Sequence, residues 1–455
     1  MDLRKIPESV VVLTAAVLLA IWPLPDTIAL RHLMLLSGSI AASLILTEHR
    51  RRLLSKNAWP IYVLFGFFLW LIFHLLVLAG NFQEQLHELT GDWLRNFLAA
   101  SIGLALGIVL SSPTSSLSPR MQRLRQPLLI CGLAGTVIIF CTRYAYEVVL
   151  TGQWIHLDFY MTPYLGKTAL VIFGSLFLPV VFIKILSARQ KTAPQIWYLY
   201  GLLGLVATIF TYYFANTKNG FAILVVLFGC FLIRVFTRSA HNQSYRAGFY
   251  ALPLLCLLVF TYGVKKHLDS NPAWANLIAD YKISVQIDQH NNWKDNIAPL
   301  PINERGIVVN GSTYQRVSWA TAGLELLEEH PFGYGQINHS FGAMAIQKWG
   351  DFHKPDGNNR GATHSGWLDF GLGFGIPGLL LIWIPLAVSY RRALKHSDFW
   401  NKYAAWTIPV IAFSYVITEV CTSHFIELLF FLTALFSGLT LPPESETSGV
   451  HVDSA

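Results

Sequence analysis

Long apolar runs recur along the whole of this chain and leave little choice of architecture. About 20 residues at 1.5 Å each cross the roughly 30 Å hydrocarbon core of a bilayer as a helix. About twelve candidate spans can be placed on that criterion. They lie near 10–22, 28–47, 58–79, 93–110, 127–150, 166–186, 196–214, 221–236, 247–264, 366–390, 399–418 and 425–441. In lipid a helix satisfies its own backbone polar groups, whereas an open strand cannot. The expected fold class is therefore all-α: a polytopic transmembrane helical bundle of about 12 spans. Composition agrees, since only 13% of residues are charged and 53% are hydrophobic. A soluble globular chain carries about 25% charged residues. Val10–Trp22 is followed by no small-residue cleavage site, so it reads as a retained helix and not a removed signal peptide.

The short loops give the orientation. One alternating set is basic: Arg4 and Lys5, "HRRRLLSK" (49–56), "RMQRLR" (120–125), "ARQK" (188–191), "RVFTR" (234–238) and "RRALK" (391–395). The other set, including "PLPD", "NFQEQLHELTGD" and "CTSH", has no Lys or Arg apart from the turn "ANTKNG" (215–220). Lys and Arg accumulate on the cytoplasmic side, so both termini are expected there. The net charge of +7 then belongs to loops facing anionic lipid, and no soluble basic patch suggests nucleic acid. The five cysteines all lie in or beside apolar runs, with no CxxC pair. They read as buried small hydrophobes, not as a disulfide framework or zinc site.

One polar segment is too long to be a connector. The chain divides into spans one to nine (1–264), an extracytoplasmic loop domain (265–363), the last three spans (364–441) and a cytoplasmic tail (442–455). Inside the loop domain "NGSTYQRVSWATAGLELLEEHP" predicts a helix. Asn310-Gly311 makes the turn before it, and Ser312 with Gln315 resembles a capping box. Val317, Ala320, Leu324 and Leu327 form its apolar stripe, and Pro331 and Gly333 stop it. A second helix is expected over 274–287.

Cations gather where the charge pattern excludes them. Arg31, Arg95 and Lys167 begin spans at the outer side, and Arg143 lies roughly 10 Å below the outer end of its span. Lys218 occupies an outer turn, and Lys265 and Lys266 close span nine. A cation at the bilayer centre costs about 2.5–3.5 kcal/mol on insertion scales. Any one of these could snorkel to the interface or pair locally, as Arg143 could with Glu147. Five or six on one side point to a bound anion. A lipid-borne diphosphate lies at that depth, and Arg can grip it with two parallel hydrogen bonds.

Three stretches resemble the bacterial O-antigen ligase and polymerase superfamily. "HSGWLDFGLGFGIPGL" (364–379) is similar to its His-Asn/Ser-x-x-Leu signature with the following Gly-x-x-Gly-Leu. "YQRVSWATAGLELLEEHPFGYG" (314–335) resembles the family's Arg-x-x-x-Trp stretch that ends in Pro-x-x-Gly-x-Gly, with the Arg-to-Trp and Pro-to-Gly spacings each one residue shorter here. "ANTKNGFAIL" (215–224) resembles a short outer turn that carries an arginine in the family. The resemblance places His364 at the essential histidine, Arg316 at the loop arginine and Lys218 at the arginine of the turn. Lys218 departs from the pattern: it keeps the charge but loses the planar fork.

What the resemblance implies is transfer of a polysaccharide from undecaprenyl diphosphate to an acceptor on the periplasmic face of the inner membrane. The acceptor is a sugar of the lipid A core in ligases, and another lipid-linked glycan in polymerases. The membrane lipids and these two glycolipids are the expected partners, with no cofactor. The chemistry needs a base for the acceptor hydroxyl and positive charge on the departing diphosphate. An imidazole at a wet helix mouth suits the first role, so His364 is the expected general base. Arg316, Arg143 and Lys218 suit the second, with Arg31, Arg95 and Lys167 behind them. No second carboxylate motif suggests a covalent glycosyl intermediate, so inversion is expected. "DFHKPD" (351–356) has Asp351, His353 and Asp356 but no defensible metal-ligand spacing. Asp369 stands five residues past His364, some 140° round a helix, and is not an obvious orienter of the ring. Gly371 and Gly375 are read as sites of close helix packing. A transporter or flippase would need midplane binding groups and an internal repeat, and neither is visible.

Overall fold

A computed structural model describes residues 5–112, 119–154, 165–189, 194–239, 258, 261–262, 265, 276–295, 298–350, 362–418 and 423–442. The described chain is all helical, with no strand beyond an isolated bridge between Ile302 and Val308. In order the helices are α1 (Lys5–Ile21), α2 (Ile28–Glu48), α3 (Arg50–Leu53), α4 (Trp59–Phe73), α5 (Phe82–Glu88) and α6 (Leu94–Ser111). Then come α7 (Pro119–Thr151), α8 (Lys167–Arg189), α9 (Ile196–Phe214), α10 (Lys218–Ser239), α11 (Leu277–Ser284) and α12 (Asn292–Asp295). The last are α13 (Gly311–Glu329), α14 (Ser340–Trp349), α15 (Gly366–Ala393), α16 (Phe399–Ile417) and α17 (Ser423–Leu439).

Among the described residues seven helical segments are long and apolar enough to cross a membrane, and Ile6–Ile21, Lys218–Leu232 and His424–Leu439 are apolar but shorter. The helix over 399–417 is long enough but carries Asn401 and Lys402 in its first turn, which lowers its apolar character. The span expected over 247–264 lies almost wholly outside the described residues.

The chain forms two compact units. The first comprises Met1–Ile223, Pro377–Ser414 and Thr422–Ala455. Its closest helix pair is α6 with α17. A Cβ on Gly103 would collide with the Phe431 carbonyl, and one on Gly107 with the Leu435 carbonyl. Small residues four apart let two backbones touch, which is how helices gain contact where no hydrophobic effect drives them together. Arg52, 4% exposed, fastens one end of this unit by donating to Ser111 Oγ, Ser112 Oγ and the Leu441 carbonyl.

The second unit comprises Leu224–Ile376 and Tyr415–Cys421. Its core gathers Ile287, Trp293, Tyr314, Trp319, Leu326, Phe341 and Leu372. α13 is its organising element. The helix is capped by Asn310, whose side chain accepts from Thr313 N at 3.1 Å, and not by Ser312. Asp280, fully buried, holds that cap in place by accepting from Asn310 N at 3.0 Å and Asn303 Nδ2 at 2.8 Å.

The buried face of α13 is Tyr314, Ser318, Trp319, Ala322, Gly323 and Leu326, and Leu324 from the expected stripe is 58% exposed. The aromatic pair sets the face, because Trp319 and Tyr314 bury more area than the aliphatic residues they displace. Trp319 Nε1 donates to the Trp293 carbonyl at 2.8 Å, so its polar atom is satisfied inside the core. Lys348 of α14 bridges Glu325 and Glu329 of α13 at 3.0 and 2.8 Å. Burial opposes the Lys348 charge, but the two carboxylates outweigh it and hold the ammonium above the usual lysine value.

Cys131 and Cys230 are exposed on their helices and Cys141 is half-buried, which corrects the expectation of buried cysteines. The reason is the solvent: in lipid an outward face is as apolar as an inward one, so apolar neighbours do not imply burial. Cys256 and Cys421 lie outside the described residues.

Candidate active site

His364 stands just before α15, with a half-buried side chain and a backbone φ of 60°. That left-handed conformation is uncommon for a residue with a Cβ. Strain of this kind persists only where its surroundings enforce it, and it clusters at functional sites. The imidazole stacks on Trp319 of α13, ring centroids 5.0 Å apart and planes 24° from parallel. Stacking covers a face of the ring and leaves its nitrogens at the edge, where proton transfer occurs. Gly323, one turn beyond Trp319, brings α13 against the residue before His364: a Cβ there would lie 2.9 Å from Thr363 Cγ2.

Arg316 is three residues before Trp319 on α13, a spacing that makes them neighbours about 5–6 Å apart at Cβ. The helix that carries the arginine therefore also carries the platform for the histidine. The opening turn of α15 supplies partial positive charge beside His364. Its first amide, Gly366 N, donates to the Thr418 carbonyl at 2.9 Å.

The other end of α13 is fastened to α15 by backbone hydrogen bonds. α15 is broken at Gly375, with φ 70° and ψ −174°. Into the break comes the segment Pro331–Gly335. Tyr334 N donates to Leu372 O at 2.8 Å, Gly335 N to Gly373 O at 2.6 Å, and Ile376 N to Pro331 O at 2.8 Å. Gly333, at φ 82°, leaves no space for a Cβ, which would lie 2.7 Å from Gly373 O. Gly375 is thus a break that receives a loop, and not the helix-packing glycine that spacing suggests. Pro-x-Gly-x-Gly and Gly-x-Gly are the two sides of one joint.

In the first unit, an aromatic and apolar cluster contains Phe140, Tyr144, Leu165, Leu170 and Ala215. These residues adjoin Arg143 on α7, Lys167 at the start of α8 and Lys218 at the start of α10. The cluster therefore draws the ends that carry these three cations together. Arg143 is exposed, and Lys167 and Lys218 are half-buried.

Arg31 and Arg95 belong to a second cluster. Arg95 pairs with Asp92 and, at 3.1 Å, with Glu427, which is 3% exposed. Glu427 also accepts from Trp22 Nε1 at 2.7 Å, and Arg31 lies within electrostatic reach of it and of Arg95. Glu427 was missed in the sequence, although a lone acid in the apolar run "FIELLFFLTALF" is itself the signal.

Among the described residues no three His, Cys, Asp or Glu side chains gather as a metal site, and Asp351, His353 and Asp356 lie outside them. Lys266 does too.

Residues 203–383 match the family model described as O-antigen ligase. That stretch is similar to the O-antigen ligase domain, which supports a place in the ligase and polymerase superfamily. The matched stretch contains Lys218, Arg316 and His364; Arg31, Arg95, Arg143 and Lys167 precede it. No curated protein matches the chain.

Proposed function

We propose that the protein is an O-antigen ligase of the bacterial inner membrane. On this reading the chain crosses the membrane about twelve times, with both termini cytoplasmic and the reaction on the periplasmic face. The loop over 265–363 then lies outside the membrane. The donor is O-antigen polysaccharide on undecaprenyl diphosphate, and the acceptor is a sugar of the lipid A core. The observation that carries the proposal is the strained His364 stacked on Trp319, which stands one helix turn from Arg316 on α13, all within the matched residues.

The chemistry follows from those groups. His364 takes the proton of the acceptor hydroxyl as its oxygen attacks the anomeric carbon. The bond from that carbon to the diphosphate breaks with the electron pair moving to the phosphate oxygen. Arg316, with Arg143 and Lys218, binds the diphosphate as its charge grows. Arg31, Arg95 and Lys167 form a second tier. A single displacement inverts the anomeric centre.

Two results test the mechanism together. The anomeric configuration of the new linkage, read by NMR on the product, is expected to be opposite to that of the donor. The transfer rate is expected to remain within about twofold in excess EDTA, because Arg and Lys meet the leaving-group charge. Retention of configuration would exclude direct displacement. Loss of activity in EDTA with recovery on adding a divalent cation would return attention to Asp351 and Asp356.

A further inference from the structure

Asp369 takes no step in the chemistry above, yet it is 1% exposed and its bonds converge on the residues around His364. Its Oδ1 accepts from Thr363 N at 2.6 Å and from the Thr363 hydroxyl at 2.7 Å. The Thr363 oxygen accepts in turn from Ser365 N at 3.2 Å. Asp369 N donates to the Ser365 carbonyl at 2.9 Å. Thr363 is itself 1% exposed. The residues on both sides of His364 are thus tied to the first turn of α15, while His364 between them holds φ 60°. A left-handed non-glycine residue relaxes to an ordinary backbone basin unless its neighbours are fixed. The imidazole direction follows the backbone, because the side chain leaves from that Cα.

We infer that Asp369 is the positioning residue for His364. It acts through Thr363 and sets the backbone that aims the ring. This rests on His364 being the base. It also separates position from charge, because both Thr363 donors meet the same carboxylate oxygen. The amide oxygen of asparagine can receive both of them. Asp369→Asn keeps the clamp and removes the charge. Asp369→Ala removes the clamp as well. Thr363→Val removes only its hydroxyl part, with little change of volume.

The test uses full-length variants in proteoliposomes. The donor is lipid-diphosphate-linked glycan extracted from a strain lacking this gene, and the acceptor is the lipid A core of that strain. Asp369→Ala is expected to lower kcat on the order of 100-fold with donor KM within a few fold, the effect of a displaced catalytic group. Asp369→Asn is expected to recover at least about tenfold of that loss, with the pH profile of kcat unmoved. Thr363→Val is expected to lower kcat by about tenfold with an unchanged melting temperature, and it carries the test if Asp369→Ala does not fold. Wild-type kcat in Asp369→Ala, or in Thr363→Val, overturns the inference. So does an Asp369→Asn variant as slow as Asp369→Ala with a displaced pH profile, which would mean that the carboxylate acts by charge. His364→Ala, run alongside, reports separately on the base itself: activity there removes the base whatever the Asp369 variants do.

Discussion

Gly375→Ala is expected to release the joint that fixes α13 against α15. At φ 70° and ψ −174° the residue occupies a region open essentially to glycine alone. A Cβ there would meet the Pro331 carbonyl and would lie 2.5 Å from Phe332 Cα. Both neighbours are backbone, so neither can swing aside as a side-chain end would. The backbone strain alone is about 1–3 kcal/mol, and overpacking typically adds about 1–3 more. Relief requires Pro331–Gly335 to leave the break, which uncovers the Leu372 and Gly373 carbonyls in α15. Each buried carbonyl left without a partner costs about 1–3 kcal/mol. The variant should melt well below the parent in detergent and accumulate poorly in membranes. Gly80→Ala is the control, because a Cβ at Gly80 meets nothing within 4 Å. A Gly375→Ala protein that melts with that control would mean that the loop does not seat in the helix break.

His364→Ala is expected to abolish transfer while leaving an inserted protein that still retains donor. General-base contributions run at about 10²–10⁴-fold, so the residual rate should lie below about 1% of the parent. Donor retention should change little, because Arg316, Arg143 and Lys218 supply the proposed grip on the diphosphate. Removing a base only in the transition state lowers kcat and kcat/KM equally. A raised KM at unchanged kcat would instead assign His364 to binding. Trp319 would retain its own bond to the Trp293 carbonyl, so the platform should survive removal of the ring above it.

Much of this was legible in the chain because lipid enforces a simple rule. Continuous apolar runs must be helices, and the long apolar helices among the described residues fall on the runs. The motif stretches at 314–335 and 364–379 both lie inside the matched O-antigen ligase domain. Illegible features were those decided by which face meets which neighbour. Leu324 looked like core and is exposed, because Tyr314 and Trp319 turned α13 by their bulk. Asn310 outcompeted Ser312 for the cap because Asp280, thirty residues earlier, holds its amide. Cys131 and Cys230 show that hydropathy cannot separate protein-facing from outward-facing positions in a membrane helix. Gly375 looked like an ordinary packing glycine and Gly333 like a simple helix stop. Only their positive φ and the backbone bonds between their segments reveal the joint. Asp369 was set aside because it is five residues from His364 on a helical wheel. Its target is Thr363, one residue before the histidine, in a turn that the wheel does not describe.

The most direct measurement is transfer by the purified protein in proteoliposomes that contain lipid-linked O-antigen, with and without lipid A core, followed on gels that resolve glycan length. Glycan attached to the lipid A core, formed only when that acceptor is present and absent with His364→Ala, is the result expected of a ligase. Lengthening of the lipid-linked glycan in the absence of lipid A core would contradict it and make the protein a polymerase.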